Sequence, residues 1–530
     1  MKNVDSKGAH VHEGKQAIAK KLRSGMRHVP GARNGALQIL FLLLQLGLVV
    51  AWFMLSRRYI TNFYLLCEFI SLCVVLYIVR SDSSSSFKIP WIILNLALPV
   101  LGGLSYVVFG HVRFSKAERK RIKAIEFKAA EIMFERSDAL DDFGKARPEM
   151  AKQAQYTRNN AIAPIYSGTE TEYFRSGEEA FPKLLDELEH AQKFIFMEFF
   201  IIHTGYMWDT IEEVLARKAA EGVEVRLMYD SIGSMGLVPG NFVERLEAKG
   251  IHACEFNRLT NILSSRFNNR DHRKIVVIDG NVGFTGGVNL ADEYINRIER
   301  FGYWKDTMLM LRGEAVRNLS VVFLTLWEFM QWEALDYHKY MPTISPQAKG
   351  FVQPYADSPY DNENVGENVY RGILSRANYY VYITTPYLII DDEMINALTI
   401  AAKSGVDVRI ITPGIPDKKT AYTLTRSYYE VLLRSGVRIF EYTPGFMHAK
   451  MFVADDNSAV VCTINLDYRS LCHHFECAVW MCDTPVIADI KADMLECMEK
   501  SREVTLNMCQ NKSLMWRVWQ ALLRILAPLF

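Results

Sequence analysis

One pattern occurs twice in this chain and limits the fold more than any other feature. His272-Arg273-Lys274 leads through Ile275–Ile278 to Asp279, and His448-Ala449-Lys450 leads through Met451–Ala454 to Asp455. In each copy His and Lys stand two apart, so on a strand both side chains leave the same face. The residues after the Lys are apolar and rich in β-formers, as a buried strand requires. Each copy then reaches an asparagine ten residues past its Asp, at Asn289 in Gly286-Gly287-Val288-Asn289 and at Asn465 in Cys462-Thr463-Ile464-Asn465. The two histidines are a domain's length apart, which predicts two similar lobes rather than a solenoid.

The surroundings repeat as well. The apolar strand beginning at Phe194 is followed by a helical stretch ending at Gly222 and the strand Val223–Tyr229. Tyr380–Thr384 is followed by a helical stretch ending at Gly405 and the strand Val406–Thr412. Further on, Val243–Gly250 resembles Tyr429–Gly436, helix ends closed by Gly before another strand. These are strand–helix–strand units, so the fold class is α/β: two similar lobes, each a mixed sheet flanked by helices. Met341–Glu367, with Pro342, Pro346, Pro354 and Pro359, reads as the linker between them.

A second constraint comes from the N-terminal third. Gln38–Leu55, Phe63–Val79 and Ile89–Phe109 are apolar runs long enough to be membrane helices, which need roughly 20 such residues. Pro90, Pro99, Gly102 and Gly103 in the third are tolerated in lipid better than in water. The first run is too long, and its basic prelude too extended, for a cleavable signal peptide. Basic residues precede the first run (Lys15 to Arg33) and follow the third (Arg113 to Lys123). The positive-inside rule then asks for an even number of crossings, which three runs do not supply unless one is re-entrant. The expected division is a basic segment 1–35, membrane helices 36–110, a helical connector 111–160, a first lobe 161–340, the linker 341–367, a second lobe 368–510 and an amphipathic C-terminal helix 511–530. The catalytic lobes are expected on the cytoplasmic face.

Composition narrows the partners. Lys plus Arg number 61 against 60 for Asp plus Glu, a net charge of +1. A nucleic-acid enzyme ordinarily carries a basic excess, so no nucleic-acid partner is expected. None of the nine Cys forms a CxxC pair. Cys472-His473-His474-Phe475-Glu476-Cys477 has the residue types of a metal site but not zinc spacing, so buried reduced thiols, no metal and no cofactor are expected.

The duplicated residues fit displacement at a phosphodiester. That reaction needs a nucleophile, an acid for the leaving oxygen, and cations or amides for the non-bridging oxygens. One His, one Lys and one Asn from each lobe supply the set, with two ammonium groups providing positive charge. A nucleophilic His needs a carboxylate on its other ring nitrogen. Asp306 and Glu476, each beyond the Asn of its own half, are placed to orient the histidine of that half. Asp279 and Asp455 complete the catalytic motifs, as braces rather than substrate contacts.

Asn269–Ile275, Gly286–Asn289, Thr443–Lys450, Asn465–Ser470, Pro99–Tyr106, Thr385-Pro386-Tyr387 and His474-Phe475-Glu476 together resemble the signatures of bacterial cardiolipin synthases of the phospholipase D superfamily. The resemblance covers nearly the whole chain. It implies transfer of a phosphatidyl group from one phosphatidylglycerol to another, giving cardiolipin and glycerol through a phosphohistidine. Carried over by position, His272 would attack and His448 would act as acid and then base, while the near-symmetric sequence leaves open which of the two attacks. Lys274, Lys450, Asn289 and Asn465 would hold the phosphate, while Asp306 and Glu476 orient the imidazoles. Hydrolysis, or transfer to another alcohol, would use the same residues. Cys462 departs from the family's Gly, which would be awkward on strained backbone. The C-terminal segment Leu514–Phe530 is either an interfacial helix or a helix packed on the lobes. Phe199, Phe200, Met207 and Trp208 line an acyl entrance or belong to the core. Oligomeric state stays open.

Overall fold

The computed structural model describes residue 47 and residues 60–81, 85–109, 115–135, 139–258, 268–361, 363–510 and 513–529. The basic segment 1–35 and the run Gln38–Leu55 lie outside these, apart from residue 47. Three helices follow: α1 (Ile60–Arg80), α2 (Ser85–Ala97) and α3 (Pro99–Phe109). Among the described residues, one helical stretch, Asn62–Arg80, is long and apolar enough to cross a membrane.

The third apolar run is not one membrane-length helix. Leu98 breaks it and Pro99, which lacks an N–H and disfavours helix in the residue before it, starts a new helix. At 1.5 Å per residue, the 13 residues of α2 and 11 of α3 reach roughly 20 and 17 Å, short of a bilayer's roughly 30 Å. The three helices pack on one another. Gly102 makes the α2–α3 approach possible, since a Cβ there would stand 2.6 Å from the Asn95 backbone. The Ser71 hydroxyl donates to the Asn95 carbonyl at 2.9 Å and ties α1 to α2.

The connector is three helices: α4 (Lys116–Phe134), α5 (Leu140–Ala146) and α6 (Pro148–Asn160). Ser115 opens α4 with a reciprocal capping box to Glu118.

The first lobe contains β1 (Thr169–Phe174), α7 (Gly177–Glu189), β2 (Phe194–Phe199), α8 (Tyr206–Ala220), β3 (Glu224–Asp230), α9 (Phe242–Glu247), β4 (Ile251–Phe256), β5 (Arg270–Asp271), β6 (Lys274–Ile278), β7 (Val282–Gly286), β8 (Tyr303–Lys305), β9 (Met308–Gly313) and α10 (Val316–Gln331). Its seven-stranded sheet runs β1-β9-β7-β6-β2-β3-β4. The second contains β10 (Phe351–Asp357), α11 (Val365–Arg376), β11 (Tyr380–Thr384), β12 (Leu388–Ile389), α12 (Asp392–Lys403), β13 (Asp407–Pro413), α13 (Lys419–Arg434), β14 (Arg438–Tyr442), β15 (Gly445–Met447), β16 (Met451–Ala454), β17 (Ser458–Cys462), β18 (Leu466–Asp467), α14 (Tyr468–Cys472), β19 (His474–Cys482), α15 (Val486–Glu499), β20 (Ser501–Glu503), α16 (Leu506–Gln510) and α17 (Leu514–Leu526). Its sheet runs β10-β19-β17-β16-β11-β13-β14-β20. Position by position the second order repeats the first, with β20 added at the far edge.

The segment expected to be linker is shorter than its composition suggested. Strand β10 lies inside 341–367 and pairs with β19 along its whole length, with Pro354 tolerated because β10 is an edge strand. The irregular connection narrows to about 341–350.

One apolar core lies between the lobes, joining Phe196, Leu309 and Val277 to Val453, Cys477 and Val479 with α10 and α15. Separate cores fill the outer side of each sheet beneath its helices. Two short pairings stitch the lobes. β5 runs parallel to the start of β19, with Arg270 opposite His474 and Asp271 opposite Phe475. β15 runs parallel to β8, with Phe446 opposite Trp304 and Met447 opposite Lys305. These two pairings place the site.

Candidate active site

Each motif histidine stands just after a strand that crosses to the other lobe. His272 follows β5, and its N–H donates to the Phe475 carbonyl at 2.9 Å. His448 follows β15, and its N–H donates to the Lys305 carbonyl at 2.7 Å. Because β5 lies beside β19, His272 Nδ1 meets both Glu476 oxygens, at 2.9 and 3.0 Å. Because β15 lies beside β8, His448 Nδ1 meets Asp306 Oδ2 at 2.5 Å. Each imidazole is therefore held by a carboxylate of the opposite lobe. The expectation that Asp306 and Glu476 serve the histidines of their own halves is wrong in its pairing, since the strand that delivers each carboxylate pairs across the molecule.

Both carboxylates have no solvent exposure and are themselves fixed. Asp306 Oδ1 accepts from the Thr307 N–H at 2.9 Å. Glu476 accepts from the Ser470 hydroxyl at 2.7 Å and from the Thr463 hydroxyl. Asp306 fits only because residue 287 is glycine, for a Cβ there would stand 1.9 Å from Asp306 Oδ1. With Nδ1–H donated to a carboxylate, each ring turns an unprotonated Nε2 to the site.

Lys274 and Lys450 are fully buried, and each donates to its motif histidine's own carbonyl, Lys274 at 2.6 Å. Lys450 Nζ also lies 3.1 Å from His448 Nε2. The charges converge. Burial lowers the His272 pKa well below its ordinary value, helped by Lys274, Lys450 and His448. Burial and then Lys450 push His448 down to about 4 while Asp306 opposes them. Burial and then the Lys450 charge hold Lys274 down to about 7. Burial would raise Asp306, yet His448 and Lys450 win and leave it below the usual carboxylate range. This is a site short of negative charge, as an anion-binding site should be.

Asn289 lies beyond β7. Its Oδ1 accepts from the Ile201 N–H at 3.0 Å and its Nδ2 donates to the Tyr294 hydroxyl at 2.8 Å, which leaves one amide hydrogen. Asn465, also buried, occupies the matching place beyond β17.

Asp279 and Asp455 do not belong to the catalytic set. Each ends the motif strand at the end opposite the Lys, seven residues or roughly 20 Å of extended chain from its histidine. Asp279 accepts the N–H groups of Gln192, Lys193 and Phe194 at 2.9, 2.7 and 2.9 Å. Asp455 does the same for Asn378, Tyr379 and Tyr380 at 2.7, 2.9 and 2.9 Å. Both sit at positive φ, 53° and 50°. They cap the neighbouring strand and brace the sheet.

Aromatic walls flank both imidazoles, and of these sequence reasoning missed Tyr294 and Trp304. Phe200 lies 5.0 Å from the His272 ring, with Lys274 Nζ 5.6 Å from its centroid. Tyr294 and Trp304 stand 5.5 and 5.3 Å from the His448 ring. Tyr294 follows Asn289 by five residues, and no local pattern announces it. Of the four side chains proposed for an acyl entrance, Phe200 reaches the site, while Phe199, Met207 and Trp208 are fully buried in the first lobe's outer core. His474 packs 5.5 Å from the His272 ring, and burial pushes its pKa down to about 3. His272, His474 and Glu476 form, among the described residues, the group whose ligand atoms could close on a cation. Cys472 and Cys477 take no part: Cys477 Sγ bonds Thr285 Oγ1, and Cys472 Sγ accepts from Asn364. Cys462 is a fully buried core residue without positive φ. Its first-lobe counterpart Gly286 has φ 154°, so the strain that would demand Gly is present in one lobe only.

A family model described as "Cardiolipin synthase, PLD-like domain" matches residues 184–327 and 370–498, the two lobes around this site. The chain belongs to the cardiolipin synthase family. That family comprises phosphatidyltransferases of the phospholipase D type, associated with membranes and acting on phospholipids. A model for the phospholipase D-nuclease N-terminal region matches residues 69–111, the α1–α3 segment. A cardiolipin synthase of Alkalihalophilus pseudofirmus is 34% identical over 83% of this chain and 88% of its own length. One of Geobacillus thermodenitrificans is 34% identical over 86% and 92%. An uncharacterised Streptococcus mutans protein is 44% identical over 86% of this chain and 99% of its own. The crystal structure of phosphatidylserine synthase of Haemophilus influenzae superposes with a TM-score of 0.55 at 14% identity, over 71% of this chain and 98% of that one, a likeness of fold. The cardiolipin synthase family thus brings both motif histidines, both lysines and both asparagines into its two matched segments.

Proposed function

We propose that the protein transfers a phosphatidyl group from one phosphatidylglycerol to another, forming cardiolipin and releasing glycerol. The observation that carries this is the pair of imidazoles, each clamped at Nδ1 by a buried carboxylate of the other lobe, with one buried lysine beside each. His272, kept neutral by burial and by the cations around it, attacks phosphorus through Nε2. The bond from phosphorus to the headgroup oxygen breaks, and His448, whose protonated form Asp306 supports, gives its proton to the departing glycerol. The arriving phosphodiester anion supplies the counter-charge that lets His448 hold that proton. The phosphatidyl group is then on His272. His448 Nε2 takes the proton of a second phosphatidylglycerol's terminal hydroxyl, its oxygen attacks phosphorus, and the P–N bond breaks. Lys274, Lys450, Asn289 and Asn465 hold the non-bridging oxygens at both stages, as the preorganised donors such a transition state rewards.

The lobes face the cytoplasm, held by a membrane anchor. Phe87, near the start of α2, packs edge-on against Tyr468 and His473 of the second lobe, at 5.6 and 5.0 Å. The end of α1 and the start of α2 therefore lie on the catalytic side. With α2 and α3 as a re-entrant hairpin, α1 crosses once, and its end and the basic flank after α3 fall on the cytoplasmic side.

The test of activity is purified protein with phosphatidylglycerol as sole lipid. Cardiolipin and glycerol in equal amounts are expected, with an acid-labile phosphatidyl adduct on His272. Phosphatidic acid as the main product would make the protein a hydrolase, and a fully active His272→Ala would end the mechanism. For topology, a membrane-impermeant maleimide should label Arg58→Cys from outside intact cells. Labelling from the cytoplasmic side alone would reverse the arrangement.

A further inference from the structure

The C-terminal helix α17 is amphipathic, capped at Ser513, whose hydroxyl accepts the Trp516 N–H. A helix lying on a soluble protein turns its apolar stripe inward and its charges outward. α17 instead buries only Leu523 and Gln520 and leaves its broad apolar stripe outside. Gln520 is buried and donates to the Thr423 carbonyl at 3.2 Å on α13, and Arg524 lies over the Tyr428 ring of α13 at 4.4 Å. The opposite face, with Leu514, Val518, Trp519, Leu522, Ile525 and Leu526, is exposed; Met515 beside it is 84% exposed against 8% for Gln520. At 100° per residue these side chains form one continuous stripe. Leaving it in water would forgo about 25 cal/mol for every Å² of apolar surface it could bury.

What covers it is indicated by its neighbours. α17 packs on α2 as well as on α13, and the turn after it, Ala527–Leu529, touches α2 and α14. The bare stripe is thus continuous with α1–α3, the segment that carries the apolar helix of membrane length. We propose that α17 lies in the bilayer interface with its apolar stripe among the acyl chains, on the leaflet the catalytic lobes face. This rests on the reading of the protein as a membrane-bound lipid enzyme and extends it. The helix then orients the site. α13, on which it rests, accepts through Thr425: the Leu388 N–H donates to the Thr425 hydroxyl at 3.1 Å, and Leu388 pairs with Leu466, next to Asn465. Docking α17 sets α13, α2 and α14 against the lipid surface and presents the Asn465–Glu476 side of the site to it.

The experiment uses the full chain reconstituted in phosphatidylglycerol vesicles. Val518→Asp/Leu522→Asp changes two exposed positions outside the catalytic machinery. We expect turnover of vesicular phosphatidylglycerol to fall about tenfold or more, while turnover of a short-chain phosphatidylglycerol below its micellar concentration stays within about twofold. Brominated acyl chains should quench emission in the wild type more than in Trp519→Phe. If wild type lacks activity on the monomeric lipid too, the proposed reaction fails and not the docking. Unchanged vesicle activity with no quenching difference at Trp519 overturns the proposal. So does a shift from dimer to monomer on the double substitution, which would make the occupant a second copy, or a disulfide between Leu522→Cys and Leu44→Cys, which would make it the first apolar run.

Discussion

The crossed carboxylates make a prediction that pairing within each half would invert. Glu476→Gln keeps the shape of the side chain and one acceptor oxygen for the Ser470 and Thr463 hydroxyls but removes the charge facing His272 Nδ1 at 2.9 and 3.0 Å. Asp306→Asn does the same to His448 at 2.5 Å. Both carboxylates are fully buried, so solvent does not replace the lost partner. In the comparable serine-protease dyad, loss of the carboxylate lets the imidazole take the wrong tautomer and costs about 10⁴ in kcat, close to 5 kcal/mol. The two variants should both lose about 10²–10⁴ in turnover of phosphatidylglycerol. They should part on a phosphatidyl ester of p-nitrophenol, whose departure needs no proton. There Asp306→Asn retains a near-normal burst of nitrophenolate, because His272 and Glu476 are intact, and then stalls at the adduct. Glu476→Gln shows no burst, because the nucleophile is disabled. The assay is stopped-flow absorbance under single-turnover conditions, with circular dichroism confirming both folds. A burst lost in Asp306→Asn and preserved in Glu476→Gln would refute the crossed arrangement or the assignment of His272 as nucleophile.

Gly287→Ala should act like Asp306→Asn, because the new Cβ would stand 1.9 Å from Asp306 Oδ1 and displace it; cardiolipin synthesis should fall about a hundredfold with the nitrophenol burst spared. Asp279→Ala removes an acceptor of three backbone N–H groups, so thermal melting should show a loss of about 2 kcal/mol while turnover of the folded protein stays within about threefold. Lys274, held down to about 7 by burial and then by Lys450, loses its charge as pH rises through that value in the free enzyme. The kcat/KM profile should therefore fall on its alkaline side from about pH 7, and Lys274→Arg, which stays protonated, should carry that limb upward at reduced activity. A limb that does not move would assign the titration to another group.

Much of this was legible because strand chemistry is local. His-x-Lys on an apolar five-residue stretch can only put both side chains on one face, and two copies with matched asparagines can only mean two matched lobes. The apolar runs were legible as composition, but Pro99's division of the third into two short helices had to be seen. So did β10, which read as linker because Pro354 is compatible with an edge strand and a loop alike. Asp279 and Asp455 read as braces from the sequence; only the fold shows what they brace, the start of the neighbouring strand at the end away from the Lys.

The sequence by itself singled out the groups to which the chemistry is assigned: two His, two Lys and two Asn, picked out by side-chain periodicity within single strands. Tertiary structure alone decided how they are wired. Strand pairing is a contact between segments far apart in the chain, and β5 with β19 and β8 with β15 cross between the lobes. Glu476 therefore serves His272 and Asp306 serves His448, an arrangement no spacing within either half could reveal. Phe200, Tyr294 and Trp304 join the site for the same reason, brought there by packing rather than by position in the chain.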